Sequence, residues 1–336
     1  MSSRILILAT IALLLGLGFA ETAIAQRSLL PSLGGSRSGT SGFQFLKVNV
    51  DARSSGMGNS NVADASGGSS LYWNPALAVQ GDGSQLYLGH TAYFADISLN
   101  YASYIHKFRS VAVGASLTYL DSGEMKETTE FQPFGTGRTF RTVHLAAGLS
   151  FSQELTNLFS YGLTLKYLDE RIEEVEVRNV VVDLGFFYRV GDTGLRFAIG
   201  LTNFGVDATP GGETKRLTLD GEQVMTEFED VSPPTNFILG AAYDAYQGES
   251  VNVLVTGQLT NPSDDAEKVS IGAEMGYIRQ FFVRAGYQFG VDEVQYPNFG
   301  VGFRLPVAGR SMELDYGFAA RERLGNIHRL AVKFNL

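Results

Sequence analysis

The residues of this chain with the most chemistry to offer are charged side chains set among small and apolar neighbours. Glu274 and Arg284 are equidistant from Arg279, and Arg304 and Glu313 are symmetric about the stretch from Val307 to Arg310. In an antiparallel hairpin such positions face one another, so each pair predicts a carboxylate opposite a guanidinium. Asp315 and Lys333 fall on the following segments, and Arg53 lies far upstream. Opposed charges in a confined, partly wet interior stabilise one another, whereas unpaired ones are costly. The expected chemistry is electrostatic docking of one part of the chain against another. An ion-selective lining is the alternative; mixed signs rather than a ring of one sign favour docking.

Catalysis has no comparable concentration of residues. His90, His106, His144 and His328 stand singly, and there is no His-Glu-x-x-His, no Gly-x-Ser-x-Gly and no phosphate-binding glycine loop. The chain has no Cys, which excludes disulfides, thiolate metal sites and an acylated lipoprotein anchor. It reads as a non-enzyme without cofactor or metal. A net charge of −9, from 26 basic and 35 acidic residues, argues against nucleic acid as a partner.

The elements that must position these charges are strands. From Ser84 onward the sequence runs in segments of about ten residues that alternate apolar with small or polar side chains, bounded by Gly, Asp, Asn or Pro. Val111, Val113, Ala115, Leu117 and Tyr119 share one face, against Ala112, Gly114, Ser116 and Thr118. Phe281, Val283, Ala285, Tyr287 and Phe289 oppose Phe282, Arg284, Gly286 and Gln288. Strands are expected to start near Ser84, Asp96, Ser110, Thr139, Leu158, Glu174, Thr193, Pro233, Glu249, Glu267, Gln280, Pro297, Ser311 and Ile327.

Periodicity alone does not choose between a soluble sandwich and a membrane barrel. The polar faces are rich in Gly and Ala, the apolar faces place Tyr and Phe near strand ends, and the last segment, Leu330, Val332, Phe334 and Leu336, runs to the terminus. Those features predict an all-β fold, a transmembrane antiparallel β-barrel of about 14 strands in contact with outer-membrane lipid. An even count returns both ends of the barrel to the periplasmic side. The short connections, such as Gly191 to Gly194 and Ile278 to Gln280, then fall on that side, and the long ones, Asp121 to Arg138 and Asn203 to Ser232, on the other.

The expected organisation is a signal peptide over 1–25, a flexible leader over 26–42, an N-terminal hatch over 43–83 and the barrel over 84–336. Arg4, the apolar run Ile5 to Ala20 and Ala23-Ile24-Ala25 supply the three parts of a cleavable export signal, and with the barrel the expected destination after cleavage is the Gram-negative outer membrane. In the hatch, Gly56 and Gly58 allow close backbone approach or positive φ, and Pro75 disfavours helical geometry at Asn74. The Asn74 side chain is then free to satisfy backbone groups in a turn.

The hatch also carries a resemblance. Phe45-Leu46, Ala52-Arg53, Gly56-Met57-Gly58, Ala63-Asp64 and Asn74-Pro75-Ala76 occur in order ahead of the strands. They are followed by Tyr93-Phe94-Ala95-Asp96-Ile97, Tyr119-Leu120-Asp121-Ser122-Gly123, Leu201-Thr202-Asn203-Phe204-Gly205 and Gly325-Asn326-Ile327-His328-Arg329. The ordered set resembles the PorV/PorQ family of outer-membrane proteins, related to FadL-type barrels in which an N-terminal hatch folds into the lumen. The chain departs from that pattern after Ala65, where Ser66-Gly67-Gly68-Ser69 replaces further acidic residues. The resemblance implies a role in type IX secretion. Such a barrel escorts or anchors secreted proteins at the cell surface, with their C-terminal sorting domains and other secretion-system proteins as partners. The competing expectation is a FadL-like transporter of hydrophobic small molecules. A route for such molecules needs an apolar pocket, and the inward positions here are Gly, Ala, Ser, Thr and charge.

Overall fold

The computed structural model describes residues 41–336 apart from 131, 219, 220, 292–295 and 308. The expected signal peptide, and all of the leader ahead of residue 41, lie outside the described residues.

Fourteen strands form one closed antiparallel barrel. In chain order they are β1 (Ser84–Ala92), β2 (Ser98–Phe108), β3 (Val111–Asp121), β4 (Thr142–Thr156) and β5 (Phe159–Ile172). Next come β6 (Val175–Arg189), β7 (Leu195–Phe204), β8 (Asn236–Gln247), β9 (Val251–Pro262) and β10 (Lys268–Tyr277). The last are β11 (Phe281–Phe289), β12 (Asn298–Val307), β13 (Arg310–Arg321) and β14 (Gly325–Asn335). Each strand pairs with its sequence neighbours, and β14 closes on β1 in a register that sets Gln85 against Asn335 and Ala92 against His328. Closure leaves no unpaired edge, which a lipid-facing sheet requires.

Alternation sorts the side chains. Leu149, Val180, Val283 and Leu330 are exposed on the outer wall, while Ala112, Ser150, Thr164, Asp183 and Ser270 are buried in the lumen. The end that carries Ser84 and Asn335 has short turns, as at Ile278 and Arg279, both at positive φ (46° and 57°) in the tight hairpin joining β10 to β11. The opposite end carries the long connections. Two of these contain hairpins of their own, Met125–Lys126 with Thr139–Phe140 and Thr214–Thr218 with Gly221–Met225. Met125–Lys126, Thr214–Thr218 and Gly221–Met225 fall in stretches expected as plain loops, where a few paired residues leave no alternation to detect, and Thr139–Phe140, expected to open the fourth strand, pairs with Met125–Lys126 instead, ahead of β4 at Thr142.

The lumen is filled by residues 43–80, built from short helical turns: Gln44–Lys47, Ala52–Gly56, Gly67–Ser69, Ser70–Trp73 and Pro75–Gln80. Asp51 caps Ala52–Gly56 by accepting the Arg53 backbone N–H at 3.1 Å. None of these turns is long enough to be stable alone; apolar side chains including Phe43, Met57, Leu71 and Val79 are fully buried against the wall and hold them. The segment begins at the end with the long loops and finishes at the opposite end, where β1 starts.

Candidate functional site

The hatch is seated by backbone. A Cβ on Gly286 would stand 2.1 Å from the carbonyl carbon of Met57, and one on Gly272 would stand 2.5 Å from the Met57 oxygen. Gly56 also faces Gly300 closely, with 2.8 Å from a Cβ to the facing Cα. Gly58 has φ +65°, and a Cβ there would meet the Tyr287 nitrogen at 2.5 Å. On the far wall, Gly162 and Gly185 leave room for Pro75 and Asn74. The small inward residues of the strands are thus the sockets of the hatch. Asn74, extended at φ −161°, accepts the Ala76 N–H at 3.0 Å and donates to the Val62 and Phe186 carbonyls at 3.3 and 3.1 Å, tying hatch to β6.

Charge locks the other side. The β10–β11 turn sets Glu274 opposite Arg284, and Arg284 Nε donates to Glu274 at 2.5 Å. Arg53 reaches the same carboxylate from the hatch, Nε to Oε2 at 2.8 Å and Nη2 to Oε1 at 3.0 Å. Arg53 also binds Asp64 at 2.6 Å, Asp64 binds Arg196 at 2.9 Å, and Arg196 binds Asp244 at 2.6 Å. At the other end of the chain of pairs Arg284 holds Asp315 at 2.6 Å. Four carboxylates and three guanidiniums alternate in one continuous line from β8 through the hatch to β13.

The remaining expected residues form a second group. Arg304 pairs with Glu313 across β12 and β13, and Glu313 pairs with Lys333 of β14 at 2.5 Å. Lys333 donates to Ser66 of the hatch at 3.2 Å. Between the groups, the Phe282 ring lies 5.5 Å from the Arg284 guanidinium carbon and 5.0 Å from that of Arg304. Arg284, 3% exposed, is satisfied only by its partners.

Sequence reasoning left Arg196, Asp244 and Arg329 out of the charge set. Arg196 shows the signal that finds it, a charge on the small face of its strand. Arg329 alternates with the outward Leu330, and it donates from Nε to the Asn49 carbonyl at 2.8 Å and from Nη1 to Ser55 at 2.9 Å. A third clasp, at the end with the long loops, gave no sequence signal. Asp264, between β9 and β10, accepts Ser41 Oγ, Gln44 Nε2 at 2.9 Å and Lys47 Nζ at 3.1 Å. Burial alone would raise the Asp264 carboxyl, but the hydrogen bonds from Gln44, Ser41 and Lys47 outweigh it and hold the group below the usual Asp value.

Cavities lie on both sides of the hatch, and two of them stand at opposite ends. One of about 690 Å³ lies at the end with the short turns and is lined by the charge groups, among them Arg53, Glu274, Arg304 and Lys333. The other, of about 150 Å³, lies between the hatch and strand segments nearer the long loops. No residue lines both. Buried Val62, Ala63, Ala65, Ala76 and Leu77 form one apolar cluster with Met57 and Trp73 between them. Among the described residues no group of three or more His, Asp or Glu is arranged to hold a metal.

The barrel resembles solved structures of transporters. It matches the Pseudomonas putida toluene transporter TodX with a TM-score of 0.59 at 16% identity, over 84% of this chain and 96% of that one. The Ralstonia pickettii toluene transporter TbuX gives 0.56 at 12% identity, over 84% and 96%. A Pseudomonas aeruginosa FadL homologue gives 0.51 at 10%, over 85% and 98%. At such identities the likeness is one of fold. Among curated proteins no relative matches the sequence. The model of the type IX secretion system protein PorV matches residues 34–262, more than half of the chain. On a fourteen-strand outer-membrane barrel with its lumen filled from the N-terminal side, that match means that the chain belongs to the PorV family.

Proposed function

We propose that this protein works at the outer membrane as a closed barrel that receives secreted proteins at its outer face, escorting or anchoring them for type IX secretion. The end with the short turns is then periplasmic, and the long connections, Asp121 to Arg138 and Asn203 to Ser232, face outward. The signal peptide over 1–25 is cleaved on the way. The observation that carries this reading is the hatch: it is seated against wall glycines, tied by ion pairs, and separates two cavities that share no lining residue. A lumen filled in this way supports work by the exposed loops rather than by conduction. The partners are secreted proteins with their C-terminal sorting domains and other components of the secretion machinery; no catalytic, cofactor or nucleic-acid role is proposed.

Shortening the loop between β7 and β8 to a tight turn tests it. The strands pair without that loop, so the barrel still assembles and shifts mobility on boiling. Surface delivery of secreted proteins falls, while uptake of hydrophobic hydrocarbons is unchanged. Normal delivery with impaired uptake would reverse the reading in favour of a transporter.

A further inference from the structure

The cavity of about 150 Å³ on the outer side of the hatch has a composition unlike the rest of the lumen. Phe45, Tyr72 and Trp73 of the hatch line it, with Lys47, Lys166 and Lys268, and no Asp or Glu does. The carboxylates that hold those lysines are not among the lining residues: Asp264 at 3.1 Å from Lys47, Asp183 at 2.6 Å from Lys166 and Asp265 at 2.7 Å from Lys268. An ammonium has three hydrogens to give, and Lys166 donates one to Asn203 at 2.8 Å while standing in ion-pair contact with Asp183. The indole N–H of Trp73 is buried without an acceptor. The space is that of one aromatic ring or one branched aliphatic side chain.

We propose that this cavity binds one compact apolar group bearing a carboxylate: the ring or alkyl body lies against the aromatic hatch residues and the carboxylate takes the spare lysine hydrogens. Such a group is the C-terminal residue of a polypeptide, or a free small acid of the same build. The polypeptide source rests on the secretion reading above; the chemistry of the cavity does not.

Trp73 is the only tryptophan of the chain, so its emission reports on this cavity alone. The full-length protein in detergent micelles is titrated with 3-phenylpropionate, with a short Gly/Ser peptide ending in a free-acid phenylalanine, and with the same peptide amidated. A saturable change in emission is expected, weaker by about ten-fold for the amide, because a charged acceptor makes the stronger hydrogen bond. Ala146→Leu, which fills the cavity, abolishes it while the barrel keeps its gel shift; Thr260→Phe, nearer the long loops, serves the same purpose where Ala146→Leu does not fold. Binding of the peptide acid identifies a polypeptide terminus as the source, and binding of phenylpropionate alone identifies a free acid. No emission change at millimolar probe, equal binding of acid and amide, or full binding by a folded filled variant would overturn the proposal. None of these outcomes bears on the loop-trimming test of secretion.

Discussion

At the scale of single residues, Glu274 is the pivot, because two guanidiniums, Arg53 from the hatch and Arg284 from β11, share its carboxylate. Replacing it with Gln leaves both cations buried with half a partner, and breaking a pair of this kind costs about 3–5 kcal/mol. Glu274→Gln is expected to lower the unfolding midpoint in urea strongly in the presence of Arg284, and by about 1–3 kcal/mol less when Arg284 is already Gln. Additive losses in that double-mutant cycle would mean that the pairing carries no energy. Asp264 gives a prediction with a sign in pH. Its folded value lies below the unfolded one, so its contribution is complete above about pH 4 and is lost as pH falls through the folded value. Hydrogen exchange at Leu46 and Val48 is therefore expected to be flat from pH 8 to pH 5 after correction for intrinsic rates, and to rise below pH 4. Asp264→Asn raises it at every pH. Equal protection in that variant at neutral pH would remove the clasp.

At the scale of elements, the wall strands and the hatch fit each other glycine to backbone. Gly286→Ala places a methyl carbon where the Met57 carbonyl stands, and overpacking of this kind costs about 1–3 kcal/mol. Its strand keeps the ladder to β10 and β12, so the expected result is a barrel that still shifts on gels with a hatch that proteases reach. A hatch as resistant as the parent's would show that the contact yields easily. The strands themselves were legible in the sequence: the observed starts lie within three residues of the expected ones, from Ser84 to Gly325. Alternation with a period of two, ended by turn residues, is a long-range signal repeated fourteen times. The hatch interior was less legible. Its turns are too short for helical periodicity, and its partners are remote in sequence, as with Arg53 and Glu274 or Asn74 and Phe186. Hairpin symmetry reached only pairs joined by a tight turn, so it read Arg304 with Glu313 and missed Arg196 with Asp64.

At the scale of the molecule, the two cavities without a common lining residue predict electrical silence. In planar bilayers the intact protein is expected to show no steady conductance, and deletion of residues 43–80 to open a permanent one, since a bare barrel of this strand number encloses a wide lumen. A steady current through the intact protein would contradict a sealed lumen. The direction in which the hatch runs carries a consequence for how the molecule is made. Its first described residues are clasped at the rim of long loops, by Asp264 and by the Gly42 N–H on Ser232, and its last lead into β1 at the opposite rim. Were the cylinder to close first, that segment would have to be threaded through the finished bore, past Gly162, Gly185 and Gly286, where there is no clearance for a side chain. The order that avoids threading has the sheet curl around the hatch as around a mandrel. The seam between β1 and β14, the only pairing that joins the two ends of the barrel sequence, is then the last to zip shut.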